Sequence, residues 1–130
     1  MSTRAVYGFK DQRDTHHVYV HHDGYPTGAA SKFEATLESK LAWELPRFEA
    51  DEFAASFVAA NKKSQGGVRL THGPEQHGDI EYYYLVSQKN DVLMIDAYDT
   101  PFDEFANRKL IFSGTLSDFI AGAEKIEQAA

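Results

Sequence analysis

The hydrophobic period changes early in this chain, and that change restricts the fold to a sheet carrying helices. Ala5, Tyr7 and Phe9 alternate along residues 3–10, and Val18 and Val20 alternate against Tyr19 and His21 along residues 15–22. A period of two marks a strand with one buried face. The polar turn Asp11-Gln12-Arg13-Asp14 lies between the runs and predicts a β-hairpin. At Asp23-Gly24-Tyr25-Pro26 the alternation stops, because Gly24 admits positive φ and Pro26 lacks a backbone donor. A helix is predicted from Thr27 or Gly28, where Ala30, Phe33, Leu37, Leu41 and Leu45 form one apolar stripe ended by Leu45-Pro46. A second helix is predicted over Ala50–Lys62, with Phe53, Ala54, Phe57 and Val58 inward and Asp51 and Glu52 at its positive end.

The remainder reads mainly as strand: Val68 to Thr71, Asp79 to Ser87, Val92 to Tyr98 and Lys109 to Phe112. Lys89-Asn90-Asp91 signals a hairpin turn. Thr115, with Asp118 three residues on, is a candidate N-cap for a final helix that turns Leu116, Phe119, Ile120 and Ala123 inward. The expected fold is therefore α+β in two layers, a mainly antiparallel sheet with helices on one face, in the order ββααβββ(β)α. One domain is expected to span residues 1–130, since a chain of this length supports one core. Trp43 is placed at an edge, and Phe102 and Phe105 are expected to tuck back onto the sheet.

Composition narrows the function classes. The absence of cysteine rules out disulfides, thiolate metal sites and cysteine nucleophiles. A net charge of −7, with basic residues scattered, argues against direct nucleic-acid binding. Acidic residues gather between Glu34 and Glu52 and between Asp96 and Glu104. No apolar run approaches the ~20 residues that span a bilayer, so no membrane association is expected. The first residues lack the apolar core of a secretion signal, and a cytoplasmic location is expected.

All six histidines fall in two stretches, His16 to His22 and His72 to His77, each followed by an acidic residue. If Val18 and Val20 face the helices, Tyr19 and His21 face away; if Ile80, Tyr82, Tyr84 and Val86 face the helices, Asp79, Glu81 and Tyr83 face away. Asp23 and His77, at strand ends, share that parity. The candidate binding surface is thus Tyr19, His21, Asp23, Tyr25, His77, Asp79, Glu81 and Tyr83. Three chemistries suit it. A metal could take His21, Asp23, His77, Asp79 and Glu81, although their spacing matches no ligand motif. An imidazole, His21 or His77, paired with Asp79 or Glu81 could serve in proton transfer. The third reading is architectural, with Asp23 accepting backbone donors, His77 bonding across to the Asp23 corner and Tyr25 stacking on it. Motifs for nucleophilic hydrolysis, nucleotide phosphates and dinucleotides are missing from the sequence.

The blocks Tyr19-Val20-His21-His22-Asp23-Gly24-Tyr25-Pro26-Thr27-Gly28 and His77-Gly78-Asp79-Ile80-Glu81-Tyr82 resemble a pattern in small uncharacterised bacteriophage and prophage proteins. That family carries no assigned catalytic residue or cofactor. The resemblance implies a setting in the cytoplasm of a bacterial host. It also implies a mode of action: a small acidic protein that binds a host protein, such as a defence nuclease or other nucleic-acid-binding component, and modulates or inhibits it. Two alternatives stand beside this expectation. One is a metal-dependent hydrolase of nucleotides or phosphoesters built on the His/Asp/Glu set. The other is a protein that sequesters a small molecule on the backbone donors after Gly28.

Overall fold

The computed structural model describes residues 2–101 and 104–130. Among these residues six strands form one sheet: β1 (Ala5–Lys10), β2 (Thr15–Val20), β3 (Val68–Thr71), β4 (Tyr82–Lys89), β5 (Val92–Asp99) and β6 (Lys109–Thr115). The α-helices of the described residues are α1 (Pro26–Ser39), α2 (Ala50–Asn61) and α3 (Leu116–Ala129). The order across the sheet is β3-β2-β1-β4-β5-β6, with every pairing antiparallel except β1 with β4. This is the expected α+β architecture, with helices on one face. None of the helices is long and apolar enough to cross a membrane, among the described residues.

Local chemistry explains the element ends. Asn90 and Asp91 both hold positive φ, 53° and 62°, which is the backbone of a two-residue hairpin whose twist matches its strands. Thr115 caps α3 by accepting the Asp118 N–H at 3.0 Å. The cap of α2 comes from a distant strand turn. Asp11 Oδ2 accepts the Ala50 N–H at 2.8 Å, while Oδ1 accepts those of Arg13 and Asp14 at 2.8 Å each. These donors, Ala50 foremost, hold the Asp11 carboxyl at about 2. Asp11→Ala is expected to cost about 1–2 kcal/mol, read from urea denaturation at neutral pH. Because a depressed carboxylate stabilises only while ionised, that contribution is complete above 3.8 and fades as pH falls through about 2. The difference between wild type and variant should therefore shrink over that interval.

The main core lies between the sheet and the helices. Tyr7, Phe9, Val18, Tyr84, Val86 and Ile95 point from the strands toward Phe33, Phe57, Leu116 and Phe119, all fully or nearly fully buried. Tyr7 stacks on Tyr84 at 5.1 Å between ring centroids and meets Phe33 edge-on at 5.5 Å. Such aromatic contacts add about 0.5–1.5 kcal/mol each beyond their area. Among the described residues the buried Tyr7 hydroxyl has no hydrogen-bond partner, and burial raises its pKa, which keeps it a phenol.

Two expectations about side-chain direction change. The α1 stripe was expected to run inward as far as Leu45, but the helix ends at Ser39, with Lys40 in the left-handed conformation at φ 59°. Ala29, Ala30, Phe33 and Thr36 are buried, whereas Leu37, Leu41 and Leu45 are exposed. The spacing was right for a helix, but the peptide chain turns away before the last two leucines reach the core. Ile80 also leaves its expected face. It precedes the first paired residue of β4, so strand alternation does not yet govern it, and it is buried with Val6, Tyr19 and Tyr83 on the side away from the helices. Phe105 packs against that second cluster, as expected; Phe102 lies outside the described residues.

Candidate functional site

Strand register assembles the site. On the face away from the helices, one cross-strand row runs Arg69, Tyr19, Val6, Tyr83, Tyr98 and Leu110. The next row runs Thr71, His17, Gly8, Leu85, Asp96 and Ser113. Residues 72–81 return across the first row, so this face is partly covered. Tyr19 and Tyr83, expected as exposed contact surface, are 3% and 7% exposed. Their rings are spent on internal packing: Tyr83 stacks on Tyr98 at 5.9 Å and meets Phe105 edge-on at 5.3 Å. Val6, Tyr19, Ile80 and Tyr83 thus form a small second core.

The polar groups cluster around Tyr19. His77 stacks on its ring at 4.4 Å and 15° between planes. The Arg69 guanidinium lies 4.8 Å from the centre of the same ring. The Tyr19 hydroxyl is hydrogen-bonded to His21 Nδ1 at 2.8 Å, and His77 Nε2 to Thr71 Oγ1 at 2.8 Å. Asp79 pairs with Arg4 at 3.2 Å, in a partly exposed ion pair of small energetic weight. His17 reaches the Tyr83 hydroxyl at 3.1 Å across Gly8. A Cβ at Gly8 would stand 2.8 Å from that hydroxyl and 3.2 Å from the His17 ring, so glycine makes room for the bond. A cleft of about 420 Å³ at the β2–β3 side of the sheet is lined by His16, His17, Val18, Leu70, Thr71 and Ala54 of α2, so it lies toward the helices and not on this face.

The structure therefore brings Tyr19, His21, His77 and Asp79 together, with Tyr83 on the same face. It does not bring Asp23 and Tyr25 there. These form a separate corner at the start of α1, where the Tyr25 hydroxyl donates to Asp23 Oδ1 at 3.0 Å and Lys32 Nζ donates to the Asp23 carbonyl at 3.2 Å. Tyr84, from the helix-facing side of β4, donates to the Gly24 carbonyl at 2.6 Å. His77 does not reach this corner as expected, because its ring is held by Tyr19 and Thr71. The Glu81 side chain is exposed, and its backbone bridges Arg4 and Thr100. The five-ligand metal set is thus divided among a ring cluster, a turn and an exposed strand entrance. Among the described residues, no group of three or more His, Asp or Glu is placed to hold a metal ion.

The expected imidazole–carboxylate dyads are replaced by imidazole–hydroxyl pairs. His21 and His77 bond to Tyr19 and Thr71, while Asp79 takes Arg4. Burial pushes the pKa of His17, His21 and His77 down, so these rings are neutral near pH 7. Glu75 near His17 and Asp79 near His77 oppose that shift in part. The neutral His77 ring, stacked on Tyr19 and bonded to Thr71, fastens the 72–81 segment onto the sheet, while His17 bonds across to Tyr83 and His21 to Tyr19. Arg4, His17, Arg69 and Thr71 complete the cluster and were missed in the sequence. Arg4 could have been found by parity, two residues before Val6; Arg69 and Thr71 required the β2–β3 register.

The depressed imidazoles set a pH dependence. The folded protein resists protonation at His17 and His77, whereas the unfolded chain accepts protons below the usual 6.5. Stability is expected to be level above 6.5 and to fall with acidification below it, visible as a lower urea midpoint at about pH 5 than at about pH 7. His17→Gln combined with His77→Gln should flatten this fall; an unchanged slope would remove both rings from the account.

No family model, curated protein or solved structure matches this chain.

Proposed function

We propose that this chain acts by forming a complex: it is a small acidic protein, phage- or prophage-derived, that binds a host protein and modulates or inhibits it. A basic partner is the complementary kind, and a nuclease or another nucleic-acid-binding component has that chemistry. One observation carries the reading. Between Glu34 and Glu52 six carboxylates accompany two cations, and the same stretch exposes Leu37, Leu41, Trp43 and Leu45. Acidic charge beside exposed apolar side chains suits steering toward, then desolvated contact with, a positive protein surface. The internally bonded histidines give the alternative of a metal-dependent hydrolase no comparable support. The phage setting rests on the two motif blocks alone.

The test is capture at low and high salt from bacterial lysate, followed by assay of the captured protein with and without this chain. A stoichiometric complex that weakens with salt and alters the partner's activity is the expected result. Recovery of no partner, together with substrate turnover by the purified protein, would replace this reading with an enzymatic one.

A further inference from the structure

The premature end of α1 leaves an apolar surface uncovered. Leu37, Leu41, Trp43, Leu45 and Val92 are 41%, 55%, 43%, 43% and 42% exposed. All but Leu41 gather in two adjoining clefts. Leu37, Leu45 and Val92 line a cleft of about 430 Å³ whose other wall is Leu116 and Ile120 of α3. A second cleft, of about 290 Å³, continues from it past Trp43 and Phe53, and the two share Leu37, Leu45 and Leu93. Together they make one groove between α1, the 40–49 segment and α3. A contiguous exposed apolar patch of this kind marks an interaction surface more often than a bare exterior.

Charge and geometry select the occupant. Glu34 and Glu38 border the first cleft and Glu44 the second. Of the two nearby cations, Arg47 is engaged, lying 3.3 Å over the Trp43 ring and 3.2 Å from Glu49, which leaves Lys40. A second copy would set two such acidic rims against each other. An extended segment would find only two residues of open strand edge in the groove, Val92 and Leu93, since β6 pairs with β5 from Met94 onward. A helix needs no edge and inserts side chains spaced three and four apart. We infer that this groove is the docking site for an amphipathic helix with an apolar face and basic flanks, supplied by the protein partner. The inference rests on the binding function proposed above and assigns its contact surface and partner chemistry.

Trp43 is the sole tryptophan and lines the groove, so its fluorescence reports occupancy directly. The probes are a synthetic leucine–lysine amphipathic helix, its leucine–glutamate counterpart and a scrambled leucine–lysine sequence, titrated into the full chain. The lysine helix should shift Trp43 emission saturably and bind about tenfold more tightly than the glutamate helix at low salt, with most of that margin lost at high salt. Glu34→Lys with Glu38→Lys should invert the preference, and Leu37→Ser with Leu45→Ser should abolish binding by every probe; circular dichroism confirms that each variant is folded. Equal binding of the lysine and scrambled peptides, or a preference unmoved by the charge reversal, would overturn the assignment. So would a concentration-dependent dimer that Leu45→Ser dissolves, which would give the groove to a second copy. A captured host complex that survives Leu37→Ser with Leu45→Ser would sink the groove and leave the binding function standing. Failure of both capture and peptide binding would sink both.

Discussion

Gly28→Ala is expected to destabilise the protein by about 3 kcal/mol or more, at the upper end of what overpacking costs. An added Cβ would overlap the Asp23 carbonyl oxygen and stand 2.9 Å from its carbon, which no side-chain rotation relieves. The obstacle is backbone, and that backbone is fastened. Lys32 donates to the Asp23 carbonyl, Gly24 N–H donates to Thr3 at 2.9 Å, and Tyr84 donates to Gly24 from the core. Relief would require moving the corner and breaking some of these bonds, or displacing the start of α1. Gly67→Ala is the control, because its Cβ would meet only Ser64 Oγ, at 3.5 Å. Urea denaturation should separate the two by several kilocalories per mole, on the scale of about 3 against less than about 0.5. Near-equal midpoints would mean that the Asp23 corner yields easily.

The second large effect is Phe57→Ala, expected to cost about 3–5 kcal/mol. Phe57 is fully buried on α2, with its ring 4.7 Å from Tyr7, 5.3 Å from Phe9 and 5.9 Å from Phe33. Truncation would leave a cavity beneath the central strand, walled by rings too constrained to collapse into it. Leu37→Ala offers the contrast, since Leu37 is two-fifths exposed. Its loss should cost well under half as much, read from the same denaturation curves. A comparable cost at both positions would mean that the α1 stripe is buried after all, and the groove would lose its rationale.

The sequence disclosed those features whose causes are local. The Asn90-Asp91 hairpin needs two residues in the left-handed region, and the Thr115 cap needs one hydroxyl three positions before an N–H; both were readable in place. Inward Val18 and Val20 followed from alternation within a single strand. Other features depend on long-range geometry. Leu41 and Leu45 keep helical spacing, yet the turn at Lys40 removes them from the helix, and periodicity does not report where a chain changes direction. Ile80 obeyed no strand parity because pairing begins at Tyr82. The covering of Tyr83 depends on how residues 72–81 and Phe105 return over the sheet, which side-chain alternation leaves undetermined. Parity alone grouped Tyr19, His21, Asp79 and Tyr83 on one face, while the arrangement there (hydroxyl-bound imidazoles around a buried ring, with Asp23 elsewhere) emerged only once strand register was known.

The one parallel pairing has a consequence for synthesis. It joins Ala5–Phe9 to Tyr82–Val86, the middle of the sheet, across most of the chain's length. Until β4 leaves the ribosome, β1 can zip to β2 but keeps its other edge bare, with Tyr7 and Phe9 beside it. An exposed apolar edge of that kind invites pairing with other chains. The centre of the finished sheet is thus the most vulnerable part of the nascent one, and a message cut short before residue 82 would leave that seam open for good.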